Sequence, residues 1–286
     1  FTVASLSAFP FKVSEEHPLL AAKRLSSSRG YDGIGEPDFT EAQSVEEGDF
    51  VCYPRRRVTW DRLELDLHDY HPERSFSDTY IYRRLNQEST DIYEYLEENG
   101  VPEFKHRDKA AFLEEHGWSD QNYLNARNAF TQSESIDRIP RFLPVTKDLA
   151  YLIGLYAAEG SPKDTGVSLS LNSDEEAIMD LVDHILIGMG FQPGHRYTRE
   201  HSTQYDIGDI FLGGLLVQLC GKGAANKHLP RLITEAPDHI AFRAIEGVLA
   251  GDGCSIHTST RREGLKTVSP QLAVDIRMLL LSFGLI

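Results

Sequence analysis

The chain has 286 residues, of which 41% are hydrophobic and 26% are charged, and its formal net charge at pH 7 is −15. This length is enough for two or three domains with buried cores. No apolar run approaches the roughly 18 residues of a transmembrane helix, so we expect no membrane partner.

The acidic balance disfavours DNA binding, because affinity for duplex DNA comes largely from Lys and Arg side chains that neutralise phosphates. Lysine is scarce, with nine residues against twenty arginines, and this composition is typical of adaptation to strong salt, which screens self-repulsion. The cysteines, Cys52, Cys220 and Cys254, lack the spacing of a disulfide framework or a zinc site. They fit a reducing cytoplasm, the location that we expect.

Residues 1–58 consist of short alternating runs that predict a β-rich domain, with a Ser- and Gly-rich loop from Ser26 to Pro37. Within this domain, residues 13–18 read Val-Ser-Glu-Glu-His-Pro, with Ser14 three positions before His17. A lone His before Pro is ordinarily a turn residue, so these positions carry no function by themselves.

Residues 59–144 are polar, and we predict a helical linker with helices over Ser77–Gly100, Asp108–Gly117 and Ser119–Phe130. The last two, joined by a Gly-Trp turn, suggest a DNA-recognition unit, with basic residues as phosphate contacts. These basic residues are Arg83, Arg84, Lys105, Arg107, Lys109, Arg127, Arg138 and Arg141. Because acidic residues are interleaved with them, a helical spacer with solvated charges is an equal alternative.

One pattern occurs twice, as Leu-Ile-Gly-Leu-Tyr-Ala-Ala-Glu-Gly at residues 152–160 and as Ile-Glu-Gly-Val-Leu-Ala-Gly-Asp-Gly at residues 245–253. Each copy predicts the end of a helix, with Gly160 and Gly253 as C-cap residues. Small residues recur along both copies, so the two helices can approach with their backbones nearly in contact. We therefore predict a symmetric helix pair.

Glu159 and Asp252 end these helices, where a carboxylate faces the negative end of the helix dipole at a cost of roughly 0.3–1 kcal/mol. Bringing two such ends together adds repulsion that a cation must offset. Two carboxylates suit a hard cation such as Mg²⁺ better than Zn²⁺, which favours His and Cys. The alternative is two solvated helix ends, which the duplication disfavours.

The same order of elements follows each copy and predicts two repeats, residues 145–235 and residues 236–286. Each repeat is expected to form a sheet with helices on one face. Only two residues follow Gly284, where the first repeat continues into a hairpin and a closing helix. We therefore expect the second repeat to be truncated and the chain to be a fragment.

The two nonamers resemble the paired motifs of LAGLIDADG, or DOD-type, homing endonucleases of the kind carried by inteins. The resemblance implies an α+β fold in which residues 145–286 form two pseudo-symmetric αββαββα repeats, active as a monomer. It implies Mg²⁺-dependent hydrolysis of both strands of a DNA target, with Glu159 and Asp252 as catalytic residues and metal ligands. Residues 221–231 resemble the family block that carries a lysine near the active site, which makes Lys227 a catalytic candidate. Lys266 is a weaker candidate in the second repeat.

Residues 13–18 and 42–55 resemble blocks of the intein splicing, or Hint, domain, so residues 1–58 are its N-terminal part. The resemblance implies that His17 assists autocatalytic cleavage at the upstream splice junction and that Ser14 orients it, with the flanking host protein (the exteins) as the partner in cis. The splicing nucleophiles are missing, because the chain begins with Phe1 and ends with Ile286. The alternatives are a splicing element whose endonuclease is an inactive DNA-binding or structural insert, and a free-standing nuclease or DNA-binding regulator.

Overall fold

The computed structural model describes residues 2–5, 8–27, 30–52, 58, 64–72, 80–82, 90, 91, 94, 109–121, 123, 124, 138–256 and 262–284. Helices and antiparallel sheets occur together in these residues, in agreement with the predicted α+β class. None of the helices in the described ranges is long and apolar enough to cross a membrane.

Short strands make up the N-terminal part, as predicted. They are β1 (Thr2–Ser5), β2 (Ala8–Lys12), β3 (Pro18–Ala22), β4 (Arg24–Ser27), β5 (Gly30–Ile34), β6 (Asp38–Glu41) and β7 (Phe50–Val51). Strands β1 and β2 form one pair and β4 and β5 another, while β6, β3 and β7 form a three-stranded sheet in that order. An ion pair of 2.7 Å between Lys23 and Asp49 ties the end of this sheet together.

The region predicted as a helical linker contains strands as well as helix. Its described elements are β8 (Glu64–Asp66), β9 (Tyr80–Tyr82), α1 (Lys109–His116), β10 (Arg138–Pro140) and β11 (Phe142–Pro144). The helix predicted from Ser77 is wrong over β9, which pairs with β10 and buries Ile81 against the core. Helix α1 confirms the predicted second helix, and the described residues 120, 121, 123 and 124 of the third are also helical.

The basic residues of the predicted DNA-recognition unit mostly lie outside the described residues. Two that are described already have partners. Arg141 forms a bidentate ion pair with Asp66, at 2.6–3.0 Å, and Arg138 stacks over the ring of Tyr80 at 4.3 Å. These contacts favour a structural role for both arginines, and the DNA-recognition role of the region stays a prediction.

The C-terminal part follows the predicted order of elements. The first repeat comprises α2 (Lys147–Glu159), β12 (Gly160–Lys163), β13 (Gly166–Asn172), α3 (Glu176–Gly188), β14 (His195–Arg199), β15 (Ser202–Ile207) and α4 (Ile210–Cys220). After the short helix α5 (Arg231–Thr234), the second comprises α6 (Asp238–Asp252), β16 (Gly253–Ile256), β17 (Arg262–Leu265) and α7 (Pro270–Ser282). We call α2 and α6 the first and second motif helices.

The strands of the first repeat form an antiparallel sheet in the order β12, β13, β15, β14. Alternation along β13 and β15 places Leu169 and Tyr205, which pair directly, in the core with the motif helices. Ser170, Asn172 and Gln204, which alternate with them, are exposed on the opposite face. The sheet therefore has one apolar face under the helices and one polar outer face.

One core includes the motif helices and residues of the segment that contains β8 to β11. Leu65, Leu67, Ile81, Ile139 and Leu143 belong to the same buried cluster as the residues of α2 and α6. The His71 ring lies so close to Gly214 that a Cβ there would be 2.3 Å from His71 Cε1. Part of the predicted linker is thus packed onto the C-terminal part, while the predicted domain boundaries stay predictions.

Candidate functional site

The two motif helices cross with their main chains in contact. A Cβ added to Gly154 would lie 1.9 Å from the carbonyl oxygen of Ala244, and one added to Gly247 would lie 2.1 Å from the carbonyl oxygen of Tyr151. Both clashes would be with main-chain atoms, which cannot move aside as a side chain can. The predicted close approach is confirmed, and it requires glycine at both positions.

Both helices turn directly into strands at their C-terminal ends. Gly160 (φ −78°, ψ 140°) and Gly253 (φ −70°, ψ 139°) are the C-cap residues, as predicted. Their backbone is extended, however, and does not adopt the left-handed conformation of the common glycine C-cap. The reason for glycine is space, because a Cβ at Gly160 would lie 2.1 Å from the ring of Tyr156 and one at Gly253 would lie 2.1 Å from the carbonyl oxygen of Leu249. The strands β12 and β16 therefore begin immediately after the two carboxylates.

The helix crossing brings Glu159 and Asp252 together. A Cβ on Gly251 would be 2.6 Å from Cγ of Glu159, so the Glu159 side chain lies against the last turn of the second motif helix. Both carboxylates are partly buried. Burial, then the charge of Asp252 and then that of Glu175, raises the pKa of Glu159 to about 7. Burial also raises the pKa of Asp252.

These shifts mean that the site is poor in compensating positive charge. A carboxyl group with a pKa near 7 is half protonated at neutral pH, because burial and, to a smaller extent, a second acid oppose its ionisation. A bound cation would supply positive charge and favour the carboxylate form of both groups. The electrostatics thus favour a cation-binding site at the paired helix ends.

Lys227 lies beneath this site, in the segment that joins the repeats. It is 2% exposed, and its Nζ donates a hydrogen bond of 3.0 Å to the carbonyl oxygen of Tyr156, one turn before Glu159. Nζ also lies 3.4 Å from the centroid of the Tyr156 ring, and burial lowers the pKa of Lys227 to about 8. The structure brings Lys227 to the C-terminal turn that carries Glu159, while its catalytic role stays a prediction.

Lys266 does not hold an equivalent place in the second repeat. It is exposed and follows β17, whose Leu265 pairs with Gly253 as Leu169 pairs with Gly160. This register makes Lys266 the counterpart of Ser170, on the polar outer side of the sheet.

Ser14 and His17 lie in the N-terminal part, in the turn that leads into β3. The His17 amide donates to the Ser14 carbonyl oxygen at 3.2 Å, and the His17 carbonyl oxygen accepts from the Ala42 amide at 2.9 Å. Both residues are exposed. The sheet that follows them, of β6, β3 and β7, is separate from the strands that follow the two carboxylates, and their predicted role in splicing stays a prediction.

The described residues also contain a group of three possible metal ligands, Asp66, His68 and Asp69, whose ligand atoms lie within 4.8 Å of one another. Arg141 forms its bidentate ion pair with Asp66, and the same side chain accepts from the His68 amide at 3.0 Å. Because Asp66 is already neutralised, we assign no metal to this group.

The polar contacts around Lys227 were missed by sequence reasoning. Tyr156 and Ser269 touch this lysine, yet Tyr156 reads as an ordinary core residue and Ser269 as an ordinary N-cap. Only the spacing of Tyr156, three residues before Glu159, places it on the same turn.

No protein-family model matches the chain. Over 159 residues it is 30% identical to the ATP-dependent DNA helicase Hel308 of Thermococcus kodakarensis. The aligned region covers 52% of this chain and 14% of the helicase. It is 26% identical over 155 residues to a DNA polymerase of Thermococcus sp., covering 52% and 9%, and 28% identical over 148 residues to a DNA gyrase subunit of Mycobacterium gordonae, covering 48% and 26%. The chain therefore spans about a quarter or less of the length of these relatives.

Proposed function

We propose that the chain is a DNA-cleaving enzyme, a LAGLIDADG-type homing endonuclease encoded within an intein, with Glu159 and Asp252 as its reactive centre. The observation that carries the proposal is the meeting of the two acids at the ends of helices that touch through glycine main chain. The similarity to a DNA helicase, DNA polymerases and a DNA gyrase subunit supports DNA as the substrate.

The donor set fits Mg²⁺. Both residues offer carboxylate oxygens, which Mg²⁺ prefers, and burial raises the pKa of both acids, an effect that a bound cation would oppose. When bound by Glu159 and Asp252, Mg²⁺ would activate water and stabilise the charge that develops on the leaving oxygen. The residues of the chain fix the place and the charge of the site, because two rigid helices hold the carboxylates where strands begin.

The polar outer face of the first-repeat sheet is the proposed DNA interface. Strand β12 begins at the residue after Glu159, so this face starts at the reactive centre. Exposed Ser170, Gln204 and Arg199 offer hydrogen-bond donors and acceptors to base edges and phosphates. By register, Lys266 extends this face into the second repeat, where its ammonium would contact a phosphate.

The net charge of −15 limits how strongly this face can attract DNA phosphates. On the outer face, Lys163 is already paired with Asp206. Arg196 pairs in register with the buried Tyr205 and lies on the opposite face, where it is paired with Asp180 and Asp183. Few phosphates would then be neutralised, and affinity would depend less on salt than in a basic DNA-binding protein. This agrees with the salt-adapted composition.

A cleavage selection tests the proposal. The full chain is incubated with Mg²⁺ and a plasmid library of randomised inserts, the cut ends are sequenced, and the recovered site is used as a defined duplex. We expect Glu159→Gln and Asp252→Asn each to lower the cleavage rate by on the order of 10²–10³, because charge stabilisation is lost while shape is kept.

Glu176→Gln is the matched control, since Glu176 is an exposed carboxylate in the first turn of α3. It should cut at the parent rate. Equal rates for the parent, Glu159→Gln and Asp252→Asn, or undiminished cutting in EDTA, would refute the assignment.

We also propose that residues 1–58 act in splicing. The exposed imidazole of His17, placed by the turn from Ser14, is available to donate to a scissile peptide. In the natural flanking sequence, His17→Ala should slow cleavage at the upstream junction by roughly 10²–10⁴-fold, the usual range for general acid–base help. Gel analysis of precursor and product measures it, with the exposed His195→Ala as the control, and an unchanged rate would contradict the role.

A further inference from the structure

The ammonium of Lys227 reinforces the turn that carries Glu159. The carbonyl oxygen of Tyr156 accepts two hydrogen bonds, one from the Gly160 amide and one from Lys227 Nζ. A cation at the end of a helix also faces the negative end of its dipole. Lys227 therefore stabilises the last turn of the first motif helix directly beneath the carboxylate.

The main chain of Lys227 is held by the second repeat. Ser269 Oγ donates to the carbonyl oxygen of Lys227 at 2.6 Å, and Ser269 is 1% exposed. Two residues later, the Leu229 amide donates to Oδ2 of Asp275 at 2.9 Å. The donor, Ser269, and the acceptor, Asp275, both lie at the start of α7. This helix therefore fixes the backbone from which the Lys227 side chain extends.

We propose that Ser269 is a positioning residue, which acts through Lys227 to hold the end of the first motif helix and, with it, Glu159 against Asp252. The inference takes the pairing of these two acids as the reactive centre from the proposed function. It adds that the second repeat contributes more than Asp252, because the first turn of α7 also sets the geometry of the carboxylate on the first repeat.

The physical step is the cost of burying an ammonium. Lys227 Nζ stays buried because the Tyr156 carbonyl oxygen and ring compensate its charge, and this requires its main chain to stay in place. Without the Ser269 hydroxyl, the Lys227 carbonyl oxygen loses a buried donor and the segment around residues 227–229 loosens. The ammonium then leaves the helix end, and the bond from the Gly160 amide to Tyr156 opens more often.

Amide hydrogen exchange on the full chain tests this step without any need for nuclease activity. The Gly160 amide reports the first helix end, and the Gly253 amide, which donates to Leu249 at the equivalent place, is the internal reference. Ser269→Gly removes the hydroxyl, and glycine is still well tolerated as an N-cap, whereas Ser269→Thr keeps both the cap and the donor. Should Ser269→Gly not fold, Ser269→Cys replaces it, because a thiol of similar size donates only weakly.

We expect Ser269→Gly to speed exchange at Gly160 about fivefold relative to Gly253, the factor that corresponds to one net hydrogen bond. Ser269→Thr should restore the parent ratio. Parallel acceleration of both amides would show a general loss of stability and overturn the proposal, as would an unchanged ratio. If the parent cleaves DNA, kcat should fall in Ser269→Gly with KM unchanged. If the parent does not cleave DNA, the proposed function fails while the exchange ratio still decides the positioning role.

Discussion

The two motif helices end in the same way, but their surroundings differ. The first end leads into a four-stranded sheet and its last turn is held by Lys227, while the described strands after the second end form only the pair β16 and β17. Burial raises the pKa of both acids, and the repulsion between Glu159 and Asp252 opposes the ionisation of either one. The difference is Glu175, whose charge adds to the rise in the pKa of Glu159 to about 7.

The largest expected effect comes from the feature that both helices share. Gly154→Ala and Gly247→Ala each place a methyl group inside the van der Waals radius of a main-chain carbonyl, and the helices must move apart. We expect each to lower the free energy of unfolding by about 3 kcal/mol, measured by urea denaturation. Gly188→Ala, at the end of α3 with nothing within 4 Å of its Cβ, is the control. If the contact is symmetric, the two variants should lose equal amounts of unfolding free energy. An unchanged urea midpoint in either variant would exclude a main-chain contact at that glycine.

The second prediction concerns the difference between the ends. A folded-state pKa of about 7 against the ordinary value of 4.5 means that the native state binds the Glu159 proton more tightly than the unfolded chain. The stabilisation is complete below pH 4.5 and is lost as the pH rises through 7, with a loss of roughly 2 kcal/mol after allowance for partial exposure. Urea denaturation in EDTA from about pH 4.5 to about pH 8 measures it.

Glu159→Gln should flatten that pH dependence, because the amide does not titrate. Asp252→Asn should weaken it in part, since it removes one of the two charges that oppose ionisation of Glu159. Added Mg²⁺ should restore stability at about pH 8 in the parent and not in Glu159→Gln. A parent slope that survives in Glu159→Gln would assign the linkage to another group.

The smallest expected effect concerns the segment docked on the first repeat. Gly214→Ala pushes against the His71 ring, which is a side chain and can shift, so we expect a loss of roughly 1 kcal/mol. In a His71→Ala background the added methyl group should cost little, because its obstacle is gone. Urea denaturation of the four proteins gives the coupling, and purely additive losses would show that His71 does not pack on Gly214.

The sequence predicted the features that repeat and missed those that depend on distant partners. The duplicated nonamer, with glycines at positions 154 and 247, was sufficient to predict close-packed helices and adjacent carboxylates, because helical spacing relates residues within each copy. Strand β9 was missed because Ile81 fits a helical pattern together with Leu85. Its pairing with Ile139, 58 positions later, overrides that local pattern.

The contacts that hold Lys227 in place beneath the site could not be predicted from the sequence either. A Ser followed by Pro is typical of a helix start, and the Ser269 hydroxyl does accept from the Leu272 amide at 3.2 Å. Nothing in the local sequence indicates that the same hydroxyl donates to Lys227, which is 42 positions away. A motif that caps a helix has a short-range signal, whereas a contact between repeats becomes visible only when the chain has folded.

The main-chain contacts at Gly154 and Gly247 have a consequence for how far the two repeats can diverge. At these two points each helix meets a carbonyl group of the other, and every residue type carries such a group, so a substitution of the facing residue does not remove the contact. The acid at the end of each helix can therefore differ, Glu159 in one and Asp252 in the other, while the close approach is kept.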